Sequence, residues 1–248
     1  LDGDSEIVIK GPLESKGYVD LTLKILEMAG IEVKNNDYKS FLIKGNQTYK
    51  GFDYTVEGDY SQVAFWIVAG ILSEEINCKN VYKDSLQGDR AIVEIVQRMG
   101  ANLEINDKNI KVFPGKTKGT VIDVSQCPDI APVLTVLAAL SEGETRIINA
   151  ERLRIKESDR ITSMRTELNK LGADIREEGD TLVINGVDEL EGGVTVDSWN
   201  DHRVAMALAI ASIKCKNPIL ITDAGAVRKS YPNFWNDFVS MGGKVGEI

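Results

Sequence analysis

The sequence predicts an α/β protein of repeated modules, each with the order strand, helix, strand, helix, strand, strand (βαβαββ). Two landmarks recur along its 248 residues. Glycines end four helical patterns at intervals of 70, 72 and 70 residues, namely Gly30, Gly100, Gly172 and Gly242. Aspartates precede the last three glycines by 41, 43 and 41 residues, namely Asp59, Asp129 and Asp201. Because unrelated helix caps would not keep this register over three copies, the landmarks indicate an internal repeat.

An apolar helical run follows the aspartate in each module. The runs cover residues 63–72, 131–140 and 204–213, each ten residues long. This length suits a helix buried in a protein core and falls short of a membrane span. We expect each aspartate to cap its helix by accepting backbone N–H groups. A short strand is predicted after each run, at 145–148 in the middle module and at 219–222 in the last.

The second helix of each module is amphipathic and ends at the recurring glycine. In the middle module, Ile161, Met164 and Leu168 follow the three- and four-residue spacing of one helix face. Glycine suits the left-handed conformation that closes such a helix. A hairpin is predicted next, with strands at 173–177 and 181–184.

The modules divide the chain into two unequal parts. Complete modules are predicted at 52–113, 119–187 and 193–248. Residues 1–50 hold only the back half of a fourth module, with a strand at 6–9, a helix at 18–28 and a hairpin near Asn35. Half a module cannot bury its own apolar face, so we expect the chain to be the C-terminal part of a longer protein. Residues 1–56 would then be the remnant of an N-terminal domain, and residues 57–248 a C-terminal domain.

Composition excludes several classes of protein. Hydrophobic residues make up 43% and charged residues 27%, which excludes a disordered chain. The net charge of −9 disfavours nucleic acid as a partner, and no segment suggests a membrane partner. Three widely spaced cysteines disfavour a disulfide framework and fit a reducing cytoplasm. The single histidine, His202, disfavours a zinc site.

Residues 153–160 form the most informative polar segment. It carries Lys156, Glu157 and Arg160 around the start of a helix. The structural alternative is a solvated helix start, in which the acidic side chains favour the helix dipole and one weak ion pair forms.

A second segment, residues 200–206, opens the first helix of the last module. Asp201 is sufficiently explained as a helix cap, and the same holds for Asp129 in its module. A cap does not explain His202 and Arg203 in the same turn. Helix starts gathered around one cleft would offer unpaired N–H groups and positive dipole ends, which suit anions.

Four segments together resemble the 5-enolpyruvylshikimate-3-phosphate synthases, namely 15–18, 153–160, 200–206 and 228–232. The resemblance runs along the whole chain but covers only the C-terminal part of such an enzyme. It implies two similar domains, each an inside-out α/β barrel of three modules about a pseudo-threefold axis. It also implies transfer of the enolpyruvyl group of phosphoenolpyruvate to the 5-hydroxyl of shikimate 3-phosphate, with release of phosphate and without a metal or redox cofactor.

The resemblance also implies roles for individual residues. Asp129 would be the base for the 5-hydroxyl and Glu157 the acid and base at the methylene carbon, with His202 beside the reacting centre. Shikimate 3-phosphate would be contacted by Ser15, Tyr18, Asp129, Arg152 and Lys156. Phosphoenolpyruvate would be held by Arg160, Arg203 and Lys229. Arg152 departs from the family, which often carries an amide at this position.

Two other functions fit parts of the sequence. The sister enzyme that transfers the same group to UDP-N-acetylglucosamine shares the modular fold. A non-catalytic anion-binding module would keep phosphate affinity without needing Asp129 or Glu157. On the favoured interpretation the partners are the two substrates and the missing N-terminal domain, and we expect the chain alone to be inactive.

Overall fold

The computed structural model describes residues 1–246 and confirms the α/β class. The first 50 residues form β1 (Ser5–Val8), α1 (Lys16–Met28), β2 (Val33–Asn36) and β3 (Ser40–Ile43). The next stretch forms α2 (Tyr60–Leu72), β4 (Ile76–Lys79), α3 (Ala91–Arg98), β5 (Asn102–Ile105) and β6 (Asn109–Phe113). The middle stretch forms β7 (Val121–Asp123), α4 (Ala131–Ala139), β8 (Glu144–Ile148), α5 (Arg160–Lys170), β9 (Asp174–Glu178) and β10 (Thr181–Asn185). The last forms β11 (Leu190–Gly192), β12 (Thr195–Asp197), α6 (His202–Ser212), β13 (Cys215–Asn217), β14 (Leu220–Thr222) and α7 (Phe234–Ser240).

The three apolar runs form helices α2, α4 and α6 at the centre of the core. Nearly every residue of these helices is buried, and the helices pack against one another. A helix that is apolar all round must be covered on all sides, so the sheets and the amphipathic helices surround this bundle. No helix within residues 1–246 is long and apolar enough to cross a membrane.

Antiparallel hairpins close the first two complete modules. β6 lies between β4 and β5, with Ile76 opposite Val112, and β10 lies between β8 and β9. β7 adds to the second sheet by parallel pairing with β8. The last module differs from the prediction, because β11 with β13 and β12 with β14 form two parallel pairs and no strand follows α7 through residue 246. The predicted end of this module at 247–248 lies outside the described residues.

The predicted leading strand of the module at 52–113 is wrong. No strand forms between β3 and α2. Gly58 N donates to Asn80 O at 2.7 Å, and the Asn80 side chain donates to Val56 O at 3.2 Å. The first of these bonds resembles the one from Val124 N to Ile148 O at the end of β7 and β8. The segment therefore lies beside the end of β4, but these contacts do not extend into the repeated ladder that defines a strand.

The recurring glycines end their helices as predicted. Their φ angles are 78°, 96°, 99° and 96°, in the left-handed region. In each case the next N–H bonds to the carbonyl five residues earlier: Ile31 to Leu26, Ala101 to Val96, Ala173 to Leu168 and Gly243 to Phe238. This is the Schellman closure of a helix, repeated four times with one geometry.

Residues 1–50 dock through the start of α1. None of the residues of α1 is fully buried, unlike those of the core helices. A Cβ on Gly17 would lie 2.5 Å from Leu86 O and 2.8 Å from Gly88 N, so only glycine permits this approach. Lys16 N also donates to Gln126 Oε1 at 3.1 Å. The start of α1 is therefore held against loops of the first two complete modules.

Candidate active site

Two of the three recurring aspartates cap their helices as predicted. Asp59 accepts from Ser61 N, and Asp201 accepts from Arg203 N, both at 2.8 Å. The cap predicted for Asp129 is wrong. Asp129 lies in a 3₁₀ turn (Pro128–Ile130), and α4 has no side-chain cap. Its carboxylate turns instead toward three cations from distant parts of the chain.

Asp129 joins Lys156, Arg160 and Arg203. Its Oδ1 lies 2.9 Å from Arg160 Nη1 and 3.2 Å from Lys156 Nζ, and its Oδ2 lies 3.4 Å from Arg203 Nη2. A local cluster of cations of this kind can bind an anion on a protein that is acidic overall. We call Asp129, Lys156, Arg160 and Arg203 the ion cluster.

The ion cluster keeps Asp129 charged. Burial of this side chain opposes ionisation, but the charges of Arg203, Lys156 and Arg160 outweigh burial and hold the pKa of Asp129 at about 2. A carboxylate with such a pKa is a weak base. It would become a stronger one if a ligand drew the cations away from it.

Arg160 is the most buried member of the ion cluster, with 1% of its side chain exposed. Its Nε lies 2.8 Å from Asp201 Oδ2, and its Nη2 lies 2.6 Å from Glu157 Oε2. Each of its three nitrogens therefore faces a carboxylate, counting Asp129 at Nη1. These acidic partners raise the pKa of Arg160 against the opposing effect of burial.

Arg203 and His202 occupy the first turn of α6. Arg203 Nη2 donates to Ser61 Oγ at 3.1 Å, which ties α6 to the start of α2. His202 is 5% exposed, and its Nδ1 has no hydrogen-bond partner within the described chain. Burial, reinforced by the charge of Arg203, lowers the pKa of His202, so its imidazole is neutral at pH 7.

Lys229 reaches the same region from another element. It ends a 3₁₀ turn (Ala224–Lys229), and its Nζ donates to Asn200 O. Asn200 precedes the Asp201 that pairs with Arg160. The structure thus brings Arg160, Arg203 and Lys229 to the start of α6, although the sequence separates them.

Four of the five residues expected to contact shikimate 3-phosphate form two groups. Lys156 and Asp129 belong to the ion cluster. Ser15 and Arg152 form a second group, in which Arg152 Nη1 donates to Ser15 Oγ at 2.9 Å. Arg152 Nε also lies 2.8 Å from Glu14, so both contacts join this arginine to the segment before α1.

Tyr18 has a partner that sequence reasoning missed. Its hydroxyl donates to Asp89, which is 0% exposed and whose Oδ1 has no partner within the described chain. Burial, together with Asp89, raises the pKa of Tyr18 above its usual range. Burial also raises the pKa of Asp89 to about 6, although the hydrogen bond from Tyr18 opposes this. No local signal in the sequence marks Asp89, because its partner lies 71 positions away.

Asp201 was predicted only as a cap, and its ion pair with Arg160 was missed. Because the cap role alone explains an aspartate at this position, the aspartate itself gives no separate reason to expect the ion pair. The signal available was the position of Asp201 directly before His202 and Arg203.

The chain is similar to proteins of a known family. A family model described as EPSP synthase (3-phosphoshikimate 1-carboxyvinyltransferase) matches residues 1–238. A relative from Clostridium novyi named 3-phosphoshikimate 1-carboxyvinyltransferase is 57% identical over 247 residues, which is 100% of this chain and 57% of the relative. A relative of the same name from Clostridioides difficile is 54% identical over 100% of this chain and 56% of its own length.

Solved structures support the same fold. An EPSP synthase from Acinetobacter baumannii aligns with a TM-score of 0.85 at 26% identity, over 98% of this chain and 57% of that one. The enolpyruvyl transferase NikO from Streptomyces tendae aligns with a TM-score of 0.78 at 18% identity, over 98% and 56%, and supports the fold alone. The predicted enolpyruvyl transferase fold is therefore confirmed. The chain spans just over half the length of the relatives it matches, and it belongs to the EPSP synthase family.

Proposed function

We propose that the chain supplies one side of an active site that moves an enolpyruvyl group from phosphoenolpyruvate to shikimate 3-phosphate and releases phosphate. Family membership supports the reaction class. The observation that carries the proposal is the convergence of Lys156, Arg160 and Arg203 on the carboxylate of Asp129. Both substrates carry phosphate and carboxylate groups, which convergent guanidinium and ammonium groups bind well.

In the proposed reaction, binding changes the partners of the cations. Phosphoenolpyruvate would take Arg160, Arg203 and Lys229 as its ligands. Asp129 would then lose compensating charge, and its pKa would rise from about 2. Anion binding would thereby prepare Asp129 to accept the proton of the 5-hydroxyl.

The bond changes divide between two carboxyl groups. As the 5-oxygen bonds to C2 of the enolpyruvyl group, Asp129 takes the hydroxyl proton, and protonated Glu157 gives a proton to C3. Glu157 then removes a proton from C3 while the C2–O bond to phosphate breaks. Glu157 is 41% exposed and 2.6 Å from Arg160, so it is both open to a ligand and held near the ion cluster. The neutral His202 would lie beside the reacting atoms, and Ser15, Tyr18, Arg152 and Lys156 would hold the acceptor.

The proposal includes a division of the chain. Residues 1–56 would be the last module of a separate domain, and residues 57–248 the domain that carries the ion cluster. The solvent-facing α1 and the buried α2, α4 and α6 support this division. The substrates would bind between the two domains, so turnover would need the part of the relatives that this chain does not match. Cytoplasmic action is also proposed, supported by Cys78, Cys127 and Cys215, which form no disulfide in the described chain.

The test compares this chain with a chimera. The chimera carries, ahead of Leu1, the part of the Clostridium novyi relative that this chain does not match. We expect phosphate release from phosphoenolpyruvate and shikimate 3-phosphate by the chimera and none by the chain alone. Turnover with UDP-N-acetylglucosamine instead would support the sister enzyme. Phosphate binding by the chimera without turnover of either acceptor would support a non-catalytic anion module.

A further inference from the structure

A buried carboxylate outside the candidate site accepts hydrogen bonds from the loop that precedes α6. Glu167 lies on α5, is 1% exposed and accepts hydrogen bonds from three donors. Asp197 N donates to Oε2 at 2.9 Å, and Trp199 Nε1 donates to Oε1 at 2.9 Å. Lys170 Nζ lies 2.6 Å from Oε2 and is the exposed member of the group. Two of the three donors thus belong to residues 197–200, which begin at the last residue of β12 and which we call the 197–200 loop.

That loop has an unusual backbone. Trp199 and Asn200 have φ angles of 55° and 50°, so two successive residues other than glycine adopt the left-handed region. Asparagine adopts this conformation more readily than most residues, but for a bulky residue such as Trp199 it is unfavourable and persists only where surrounding contacts hold it. The two bonds to Glu167 are contacts of this kind, together with the bond from Trp199 N to Asp197 Oδ1 at 2.6 Å.

The loop sets the positions of several groups of the candidate site. Asn200 O receives Lys229, and the next residue, Asp201, both caps α6 and pairs with Arg160. A relaxed loop would shift the carbonyl and the carboxylate together. The left-handed turn therefore fixes where Lys229 and Arg160 find their partners.

Helix α5 holds this loop at two points. Arg160 and Glu167 are seven positions apart, which is two helical turns, so both face the same side of α5. Arg160 holds Asp201 at one end of the loop, and Glu167 holds Asp197 and Trp199 at the other. We propose that Glu167 is a positioning residue for the group expected to hold phosphoenolpyruvate. Glu167 fixes the 197–200 loop and thereby the partners of Lys229 and Arg160.

This inference rests on the proposed function, and its first test needs no turnover. In the 248-residue chain, Glu167→Gln replaces one acceptor oxygen by an amide donor, so the amide cannot accept from both Asp197 N and Trp199 Nε1. We expect at least one of the two donors, the backbone N–H of Asp197 or the indole N–H of Trp199, to exchange with solvent at least about tenfold faster in this variant, measured by NMR. Lys170→Met is the matched control, because it removes only the exposed partner of Glu167. In this variant the exchange rates of the same N–H groups should stay within twofold of those in the unmodified chain. Unchanged exchange of both N–H groups in Glu167→Gln overturns the proposal, whether or not the proposed function holds.

The second test measures the KM values for both substrates in the chimera. We expect Glu167→Gln to raise the KM for phosphoenolpyruvate about tenfold. The KM for shikimate 3-phosphate should change less than threefold, because Ser15 and Arg152 would still hold that substrate and neither is bonded to the 197–200 loop. Trp199→Phe removes one donor while keeping an aromatic ring, and should produce a smaller change in the same direction. A lower kcat with both KM values unchanged would indicate only less folded enzyme and would overturn the proposal. An inactive unmodified chimera would contradict the proposed function. The N–H exchange rates measured in the 248-residue chain would still decide the role of Glu167.

Discussion

Arg160 and Asp201 form an almost fully buried ion pair, with 2.8 Å between Nε and Oδ2 and side-chain exposures of 1% and 0%. The pair joins the start of α5 to the start of α6, and thus two successive modules. Asp201 is additionally fixed as the cap of α6. Because a charge without its partner is costly in a buried site, the two side chains depend on each other.

Asp201→Asn should lower the free energy of unfolding by about 3 kcal/mol, because it leaves Arg160 without its most buried counter-charge. Asparagine retains an oxygen for the cap, so the loss reports mainly on the ion pair. Urea unfolding followed by circular dichroism measures the change. Lys83→Met is the control, since Lys83 and Asp107 are 48% and 82% exposed and their pair should contribute far less to stability than the buried pair. Equal effects of the two substitutions would contradict the importance of burial.

Asp89→Asn should stabilise the chain at pH 7 but not at pH 4. Burial raises the pKa of Asp89 from 3.8 to about 6, so the folded state binds this proton more tightly than the unfolded state. The ionised group therefore lowers stability above pH 6, and this cost disappears as the pH falls below 4. We expect a stabilisation of about 3 kcal/mol at pH 7 that declines to near zero at pH 4. Urea unfolding at a series of pH values checks it, and a pH-independent difference would show that the charge of Asp89 is not the cause.

Asp129→Asn should change anion affinity and turnover in opposite directions. Removing this charge frees Lys156, Arg160 and Arg203 from a competing anion, so the 248-residue chain should bind inorganic phosphate about tenfold more tightly. In the chimera the same variant should lose about a hundredfold or more in kcat, because the proposed base is gone. Calorimetric titration and phosphate release measure the two effects. Weaker phosphate binding would mean that Asp129 organises the cations rather than competing for them.

Glu157→Gln should reduce the kcat of the chimera about a hundredfold or more, because the amide cannot donate and recover a proton at C3. The KM values should change much less, since glutamine nearly preserves the shape of the side chain. The assay is phosphate release with both substrates at saturation. Near-normal turnover would mean that Glu157 is only an ion-pair partner of Arg160 at the start of α5 and does not transfer a proton.

Local patterns predicted most of the fold. The apolar runs predicted α2, α4 and α6, and the recurring glycines predicted where helices end, because both signals depend on neighbours within a few residues. The absence of a strand before α2 could not be predicted in this way. Whether a segment becomes a strand depends on the bonds that a partner strand supplies, and here only the end near Gly58 is paired.

The candidate site was harder to predict from local rules. Asp129 occupies the same place in its module as Asp59 and Asp201, so the repeat predicts a cap. It is drawn instead to Arg160 and Arg203, which are 31 and 74 positions away, and no local pattern contains that information. The resemblance to a family indicated these residues, whereas the periodicity alone indicated only a helix start.

The pairing of every cation in the ion cluster has a consequence for selectivity. An anionic ligand meets no unpaired cation in the ion cluster. To bind there, it must replace the carboxylate of Asp129 as the partner of Arg160 and Arg203. Chloride is a single sphere of charge and cannot reproduce the paired oxygens that a guanidinium group binds. Phosphate and carboxylate groups present two or more oxygens and can make the exchange. On the proposed function, the ion cluster would therefore favour oxyanions over halide.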